Sequence, residues 1–375
     1  MPLRLFSRKS RSMVGVDIGT SRVKVVELSD RGDGVELTRA AIELAPPGAI
    51  RDGQIVSPEL VAEVIQRSFA KGRIKPGEVV AAIAGRGVVV RHVKFPRMPE
   101  EELREAIKWE GQQHIPMPIE EAVVDFEIID DYSGSDEAEM EVMLVAAPRK
   151  LVESHVQAIE LAGLTPIAID VQPFAVLRAL RYEPGDKTLH PNGRSATAYV
   201  DIGAGTTDIL IAQGERLRFT RIVPLGGNTF TNAIAETLGV SFEEAEAIKI
   251  AKGKVCVDGC SEPCADREEQ YISDAIGNVA ADVAMDIRRS LDYHDLQLEG
   301  RSQDAGVTRV VLTGGASVME GLDCYLESEL GLATVMGDPL KSILVNQRLA
   351  NKEELSRLGP MFAVGIGLAL REVVD

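Results

Sequence analysis

No apolar run in this 375-residue sequence reaches the roughly 18–20 residues that a membrane-spanning helix requires. The longest runs, residues 79–90 and 361–370, are short and broken by Gly or Arg. No secretory leader is expected either, because residues 1–12 are basic but carry no apolar stretch. Positive charge is in deficit. The net charge of −17 speaks against broad nucleic-acid binding, which needs clustered Lys and Arg. His92, His114, His155, His190 and His294 are scattered without metal-ligand spacing, and no Ser or Cys triad is visible. What remains is a cytoplasmic globular chain of ordinary composition, 45% hydrophobic and 26% charged, long enough for two domains.

What is present is one motif used twice. Val14-Gly-Val-Asp-Ile-Gly-Thr-Ser-Arg-Val-Lys-Val25 and Tyr199-Val-Asp-Ile-Gly-Ala-Gly-Thr-Thr-Asp-Ile-Leu210 lie 184 positions apart, with Asp17 matching Asp201 and Gly19 matching Gly203. Each is an apolar run ending in Asp, a turn of Gly, Ser and Thr, and a second apolar run. That pattern is a β-hairpin with a small-residue turn. Gly19, Gly203 and Gly205 let backbone amides approach an anion, and Thr20, Ser21, Thr206 and Thr207 add hydroxyl donors. Lys24 is placed to balance phosphate charge, or to face solvent from its strand. Asp17 and Asp201 suit Mg²⁺ held through water, because Mg²⁺ dehydrates reluctantly. Two such hairpins facing each other would grip one nucleotide tail. A third motif, Arg309-Val-Val-Leu-Thr-Gly-Gly-Ala-Ser-Val-Met-Glu-Gly-Leu322, is a buried strand running into Gly314-Gly315-Ala316. The bare strand end leaves room for a base or ribose.

These motifs resemble the actin, sugar-kinase and heat-shock-chaperone ATPase superfamily. Its five motifs appear in order: phosphate-1 at 14–25, connect-1 near 159–180, phosphate-2 at 199–210, adenosine at 309–326 and connect-2 near 358–371. The resemblance implies an α/β chain of duplicated actin-like, ribonuclease H-like domains closing on ATP and Mg²⁺. It also implies a role for Glu246 and Lys249. They follow the capping box Ser241-Phe-Glu-Glu244, and related ATPases place such a pair against ribose and adenine. Otherwise they are a surface ion pair. Hydrolysis needs a group that orients water. Asp170 and Gln172 are the nearest candidates, and both could instead cap the following helix. With no obvious base, any turnover should be slow, which suits a switch better than a metabolic enzyme.

Residues 81–150 fit neither half and read strand, strand, helix, strand, strand, a small α+β insert. Phe95-Pro-Arg-Met-Pro99, Ala106-Ile-Lys-Trp-Glu110 and His114-Ile-Pro-Met-Pro-Ile-Glu-Glu-Ala122 resemble the PilM family of type IV pilus assembly proteins, itself similar to the division protein FtsA. Asp170-Val-Gln-Pro-Phe-Ala175 and residues 358–371 share that resemblance. It implies a first domain at 13–80 and 151–195 (subdomain 1A), a 1C insert at 81–150, and a second domain at 196–375 with a lobe 2B near 225–305. It further implies a chain at the inner face of the cytoplasmic membrane, reaching the membrane only through its partner. The PilN N-terminal tail would dock between 1A and 1C, other platform or motor proteins would be neighbours, and self-association stays open. An FtsA-like tether is the alternative, but it should end in a linker and a basic amphipathic helix, where this sequence ends Leu370-Arg-Glu-Val-Val-Asp375. A small-molecule kinase is a further alternative, and the insert argues against it.

Three features lie outside these motifs. Residues 2–11 pair four cations with Leu3, Leu5 and Phe6, as a membrane-surface anchor or a solvated tail. Arg86, Arg91, Lys94 and Arg97 are a solvated rim or a contact for an acidic partner. Cys256, Cys260 and Cys264 sit at Cys-x3-Cys-x3-Cys spacing, and the resemblance does not cover them. They could hold zinc with Asp258 or Asp266, or be reduced thiols, with Cys324 in the core.

Overall fold

A computed structural model of the chain describes residues 12–31, 34–130, 139–181, 195–214, 216–257, 259–298, 306–346 and 357–374. The N-terminal basic segment, Asp258 and most of the acidic loop at 130–139 lie outside the described residues.

The first half opens with β1 (Ser12–Ile18), β2 (Arg22–Asp30) and β3 (Val35–Leu44), an antiparallel meander. The short pair β4 (Ile50–Arg51) and β5 (Gln54–Ile55) leads into α1 (Pro58–Gly72), and β6 (Glu78–Ile83) follows. Ser57 and Pro58 start α1, and Arg73, rather than the neighbouring Gly72, takes the left-handed conformation that ends it, with φ 53°. Gly72 serves packing instead, since a Cβ there would lie 3.2 Å from the Ala41 Cβ.

The insert is β7 (Val89–Pro96), α2 (Glu100–Glu110), β8 (Ala122–Asp130) and β9 (Glu139–Pro148), in a three-stranded sheet ordered β7-β9-β8. Phe95, Leu103, Ile107 and Leu144 form its own core. The strand near residue 81, read above as the insert's first, is β6 of the main sheet. All but its first residue are buried, so it needs neighbours on both edges and finds β1 and β10.

α3 (Arg149–Leu161), β10 (Thr165–Val171) and α4 (Gln172–Arg181) complete the first half. The second repeats it with β11 (Ala196–Ile202), β12 (Thr207–Gln213), β13 (Arg216–Val223), α5 (Gly227–Leu238), α6 (Phe242–Lys252), α7 (Arg267–Leu298), β14 (Val307–Thr313), α8 (Leu322–Leu330) and β15 (Ala333–Met336). The sheets share one topology: β3-β2-β1-β6-β10 in the first and β13-β12-β11-β14-β15 in the second. In each, the hairpin strands are antiparallel and the last two strands join in parallel. The sequence repeat is therefore a repeat of architecture. The α7 stripe Ile272, Ile276, Val279, Val283, Ile287 and Leu291 is buried in the second core, as its spacing predicts.

One boundary differs from expectation. β16 (Leu344–Val345) pairs in parallel with β3, and α9 (Ala363–Val374) packs on β1, β2 and α4. The C-terminal segment thus returns to the first half instead of staying with the second. Glycines permit the contact: a Cβ on Gly15 would sit 2.2 Å from the Gly365 carbonyl oxygen, and one on Gly367 1.8 Å from that of Ala175.

Candidate functional site

The two hairpin turns are built alike. The Gly19 amide donates to the Arg22 carbonyl at 3.0 Å, and the Gly203 amide donates to the Thr206 carbonyl at 2.9 Å. The tips face each other across a cleft of about 910 Å³, within the range of small-molecule sites. A Cβ on Gly205 would lie 3.0 Å from the Thr20 hydroxyl, so the halves nearly touch there. Asp17, Gly19, Thr20, Ser21 and Lys24 line the cleft from the first half. Asp201, Gly203, Gly205 and Thr206 line it from the second, with Glu246, Lys249, Gly314, Gly315 and Ala316 behind them. Thr207 does not join them: its hydroxyl is buried and donates to the Leu225 carbonyl at 2.7 Å, holding the hairpin to the chain before α5.

The repeat carries an electrostatic asymmetry. Asp17 lies opposite Lys24 in the first hairpin, and the Lys24 ammonium donates to its carboxylate at 2.7 Å. The position matching Lys24 in the second hairpin is Asp208, opposite Asp201. Burial pushes Asp201 up to about 6, with Asp17 adding to the rise, while Lys24 and the Gln172 amide at 2.7 Å pull it down. Asp208 is buried, and neither of its carboxylate oxygens has a hydrogen-bond partner among the described residues. Burial first, then the Asp201 charge, raise it well above the usual carboxylate range. Carboxylates of both halves therefore meet in one cleft with Lys24 as the cation between them. That donor set suits a hard divalent cation that keeps most of its waters. Among the described residues no cluster of three or more His, Cys, Asp or Glu could hold a metal.

The far wall is shaped for a flat group. Gly314 has φ 92°, and a Cβ there would fall 2.3 Å from the Asp201 carboxylate oxygen and 2.5 Å from the Ile202 carbonyl oxygen. Only glycine fits. Lys249 of α6 donates to the Gly227 carbonyl at 2.9 Å and the Thr231 hydroxyl at 2.7 Å, and pairs with Glu246 at 2.6 Å. Burial lowers the Lys249 pKa, Glu246 offsets that, and Arg22 of the first half lowers it further. Two cations of opposite halves thus feel each other across the cleft, a repulsion that a bound anion would relieve. Arg22, Asp208 and Gly227 were not singled out in the sequence. The signal for the first two lay within the repeat itself, as the last turn residue and as the one charge-reversed position.

The two water-orienting candidates separate. Gln172, at the start of α4, reaches Asp201 and lines the cleft. Asp170 is occupied elsewhere: it takes Arg178 at 3.0 Å and Arg371 at 3.5 Å, and accepts the Val171 amide. It clips α4 and α9 to β10.

The cysteine loop departs from the zinc reading at Cys260, and from the reduced-thiol reading at Cys260 and Cys324 alone. Cys260 is disulfide-bonded to Cys324 on α8, across 64 positions, so Cys324 is not a plain core residue and Cys260 is not a reduced thiol. Local spacing could not foresee a partner on another element. Cys256 and Cys264 keep free thiols with Sγ atoms 2.9 Å apart.

Comparison with known proteins agrees with this geometry. The model of the family described as type IV pilus assembly protein PilM matches residues 15–373. The solved PilM–PilN type IV pilus biogenesis complex superposes with a TM-score of 0.84 at 31% identity, covering 97% of this chain and 99% of that one. The cell division protein FtsA of Neisseria meningitidis serogroup B is 26% identical over 392 residues, 96% of this chain and 90% of its own length. MreB5 of Spiroplasma citri bound to ADP shares the fold, with a TM-score of 0.52 at 15% identity over 97% of both chains.

Proposed function

Because the chain belongs to the family of the type IV pilus assembly protein PilM, we propose that it is the ATP- and Mg²⁺-binding component of a pilus assembly platform. In this reading it works at the inner face of the cytoplasmic membrane and docks the N-terminal tail of a PilN-type partner. The matched turns are the observation that carries the nucleotide part: two hairpins with the same amide–carbonyl bond face each other across one cleft. The amides of Gly19, Gly203 and Gly205 and the hydroxyls of Thr20, Ser21 and Thr206 receive phosphate oxygens. Lys24, Arg22 and Lys249 balance their charge. Asp17 and Asp201 hold the metal's waters. Gly314, Gly315 and Ala316 face the base and ribose, beside Glu246 and Lys249. Bound Mg²⁺ would neutralise phosphate charge, and Gln172 is the group placed to orient a water.

The likeness to the PilM–PilN complex supports the partner, and the insert's separate core supports its role as a docking module on the first half. The nucleotide part is tested by thermal unfolding with and without ATP and Mg²⁺. A ligand at a hundredfold its Kd adds about 2.7 kcal/mol to the folded state. Asp201→Ala is expected to lose most of that shift. An unchanged shift in the variant removes Asp201 from the site.

A further inference from the structure

The four cysteines of the chain gather beside one wall of the cleft, on the segment that follows Gly253 and Lys254 and on α8, just after Glu320. Lys254, which lines the cleft, bridges to Glu320, and the Val255 amide donates to the Glu320 carbonyl at 2.8 Å. The Cys260–Cys324 disulfide ties the same loop to α8 a few residues further on. Cys256 follows Val255 directly, and its amide donates to Ser273 of α7 at 3.2 Å. Cys264 precedes Ala265, whose amide donates to Glu269 at 2.9 Å.

The two free thiols differ in the way an exchange pair requires. Cys256 is exposed, and Cys264 is partly covered behind it with its sulfur 2.9 Å away. An entering disulfide reaches Cys256 first, and Cys264 stands where a resolving thiol must stand. The Cys256 hydrogen bond and burial hold the Cys264 thiol above its usual pKa, while the Lys254 ammonium partly offsets this.

We propose that Cys256 and Cys264 are a thiol–disulfide exchange site for small disulfides, and that its closure stiffens the Lys254–Glu320 wall of the cleft. The Cys256 thiolate attacks one sulfur of the small disulfide and releases one thiolate. The Cys264 thiolate then attacks the Cys256 sulfur and releases the second. The protein loses two electrons and two protons, and the small disulfide becomes two thiols. The new bond closes the loop between its anchors on Ser273 and Glu269, so the Val255–Glu320 contact has less freedom to open.

The test uses the full chain equilibrated in glutathione buffers of increasing oxidised fraction, with disulfides mapped by mass spectrometry and amide exchange followed over residues 253–257. Expected are joint loss of both free thiols to one Cys256–Cys264 bond, with no glutathione retained, and several-fold slower exchange of the Val255 amide. Cys256→Ser, at an exposed position, is expected to lose both effects while keeping the Cys260–Cys324 bond. Stable glutathione adducts, a Val255 amide indifferent to closure, or a zinc ion held by the reduced protein and lost in Cys256→Ser would each overturn the proposal. None of these readouts requires nucleotide.

Discussion

One charge-reversed position separates the two phosphate hairpins. Lys24 answers Asp17 in the first, whereas the same register in the second sets Asp208 beside Asp201. Asp208 has no hydrogen-bond partner among the described residues, and burial works against its ionised form. Its folded pKa is raised above the unfolded value, so its stabilising contribution is complete below about 4 and is lost as pH rises toward the folded pKa. Asp201, raised to about 6, acts in the same direction. Asp208→Asn removes one of these titrations. In ligand-free protein the variant is expected to be more stable than the wild type at neutral pH, by on the order of 1–3 kcal/mol, with the gap closing below about pH 4. Denaturant unfolding across that pH range measures it, and a gap that does not change with pH would contradict the assignment. This feature was visible in the sequence as a mismatch between the repeats, but only cross-strand register shows that both aspartates share a face.

The hairpin and strand-end motifs were legible at the scale of the element because each needs glycine or an alternation that sequence displays directly. Gly314 is the strictest case, since a side chain there strikes Asp201 and the Ile202 carbonyl. Gly315 gives the cleaner experiment: a Cβ would meet only the Met361 methyl at 3.5 Å, while still projecting into the cleft. Gly315→Val is therefore expected to unfold within about 0.5 kcal/mol of the wild type yet lose the ATP-induced thermal shift. A variant that keeps the shift would move the base and ribose elsewhere. Three elements escaped the sequence for a common reason, long-range contact. The return of α9 to the first half rests on glycine-to-backbone approaches such as Gly367 against Ala175. The Cys260–Cys324 bond joins a loop to a helix far along the chain. Asp170, open in the sequence between orienting a water and capping the next helix, meets Arg178 and Arg371 from two separate helices.

For the whole molecule, two similar halves close one cleft, and an insert with its own small core packs against both of them. Gln172 is the sole water-orienting candidate that lines the cleft, and it carries no basic group. ATP turnover is expected below roughly 1 s⁻¹, under the range of ordinary enzymes. Phosphate release assays check this, and rapid phosphoryl transfer to a small acceptor would favour the kinase alternative. Replacing residues 87–147 with a short linker is expected to abolish peptide docking while leaving the ATP-induced thermal shift, because both hairpins lie outside that span. The most direct measurement is calorimetric titration of a synthetic PilN-type N-terminal peptide into the full chain, with and without ATP and Mg²⁺. The account predicts saturable binding whose affinity differs several-fold between the two conditions. Absence of binding in both, or one affinity throughout, would contradict a nucleotide-dependent docking protein.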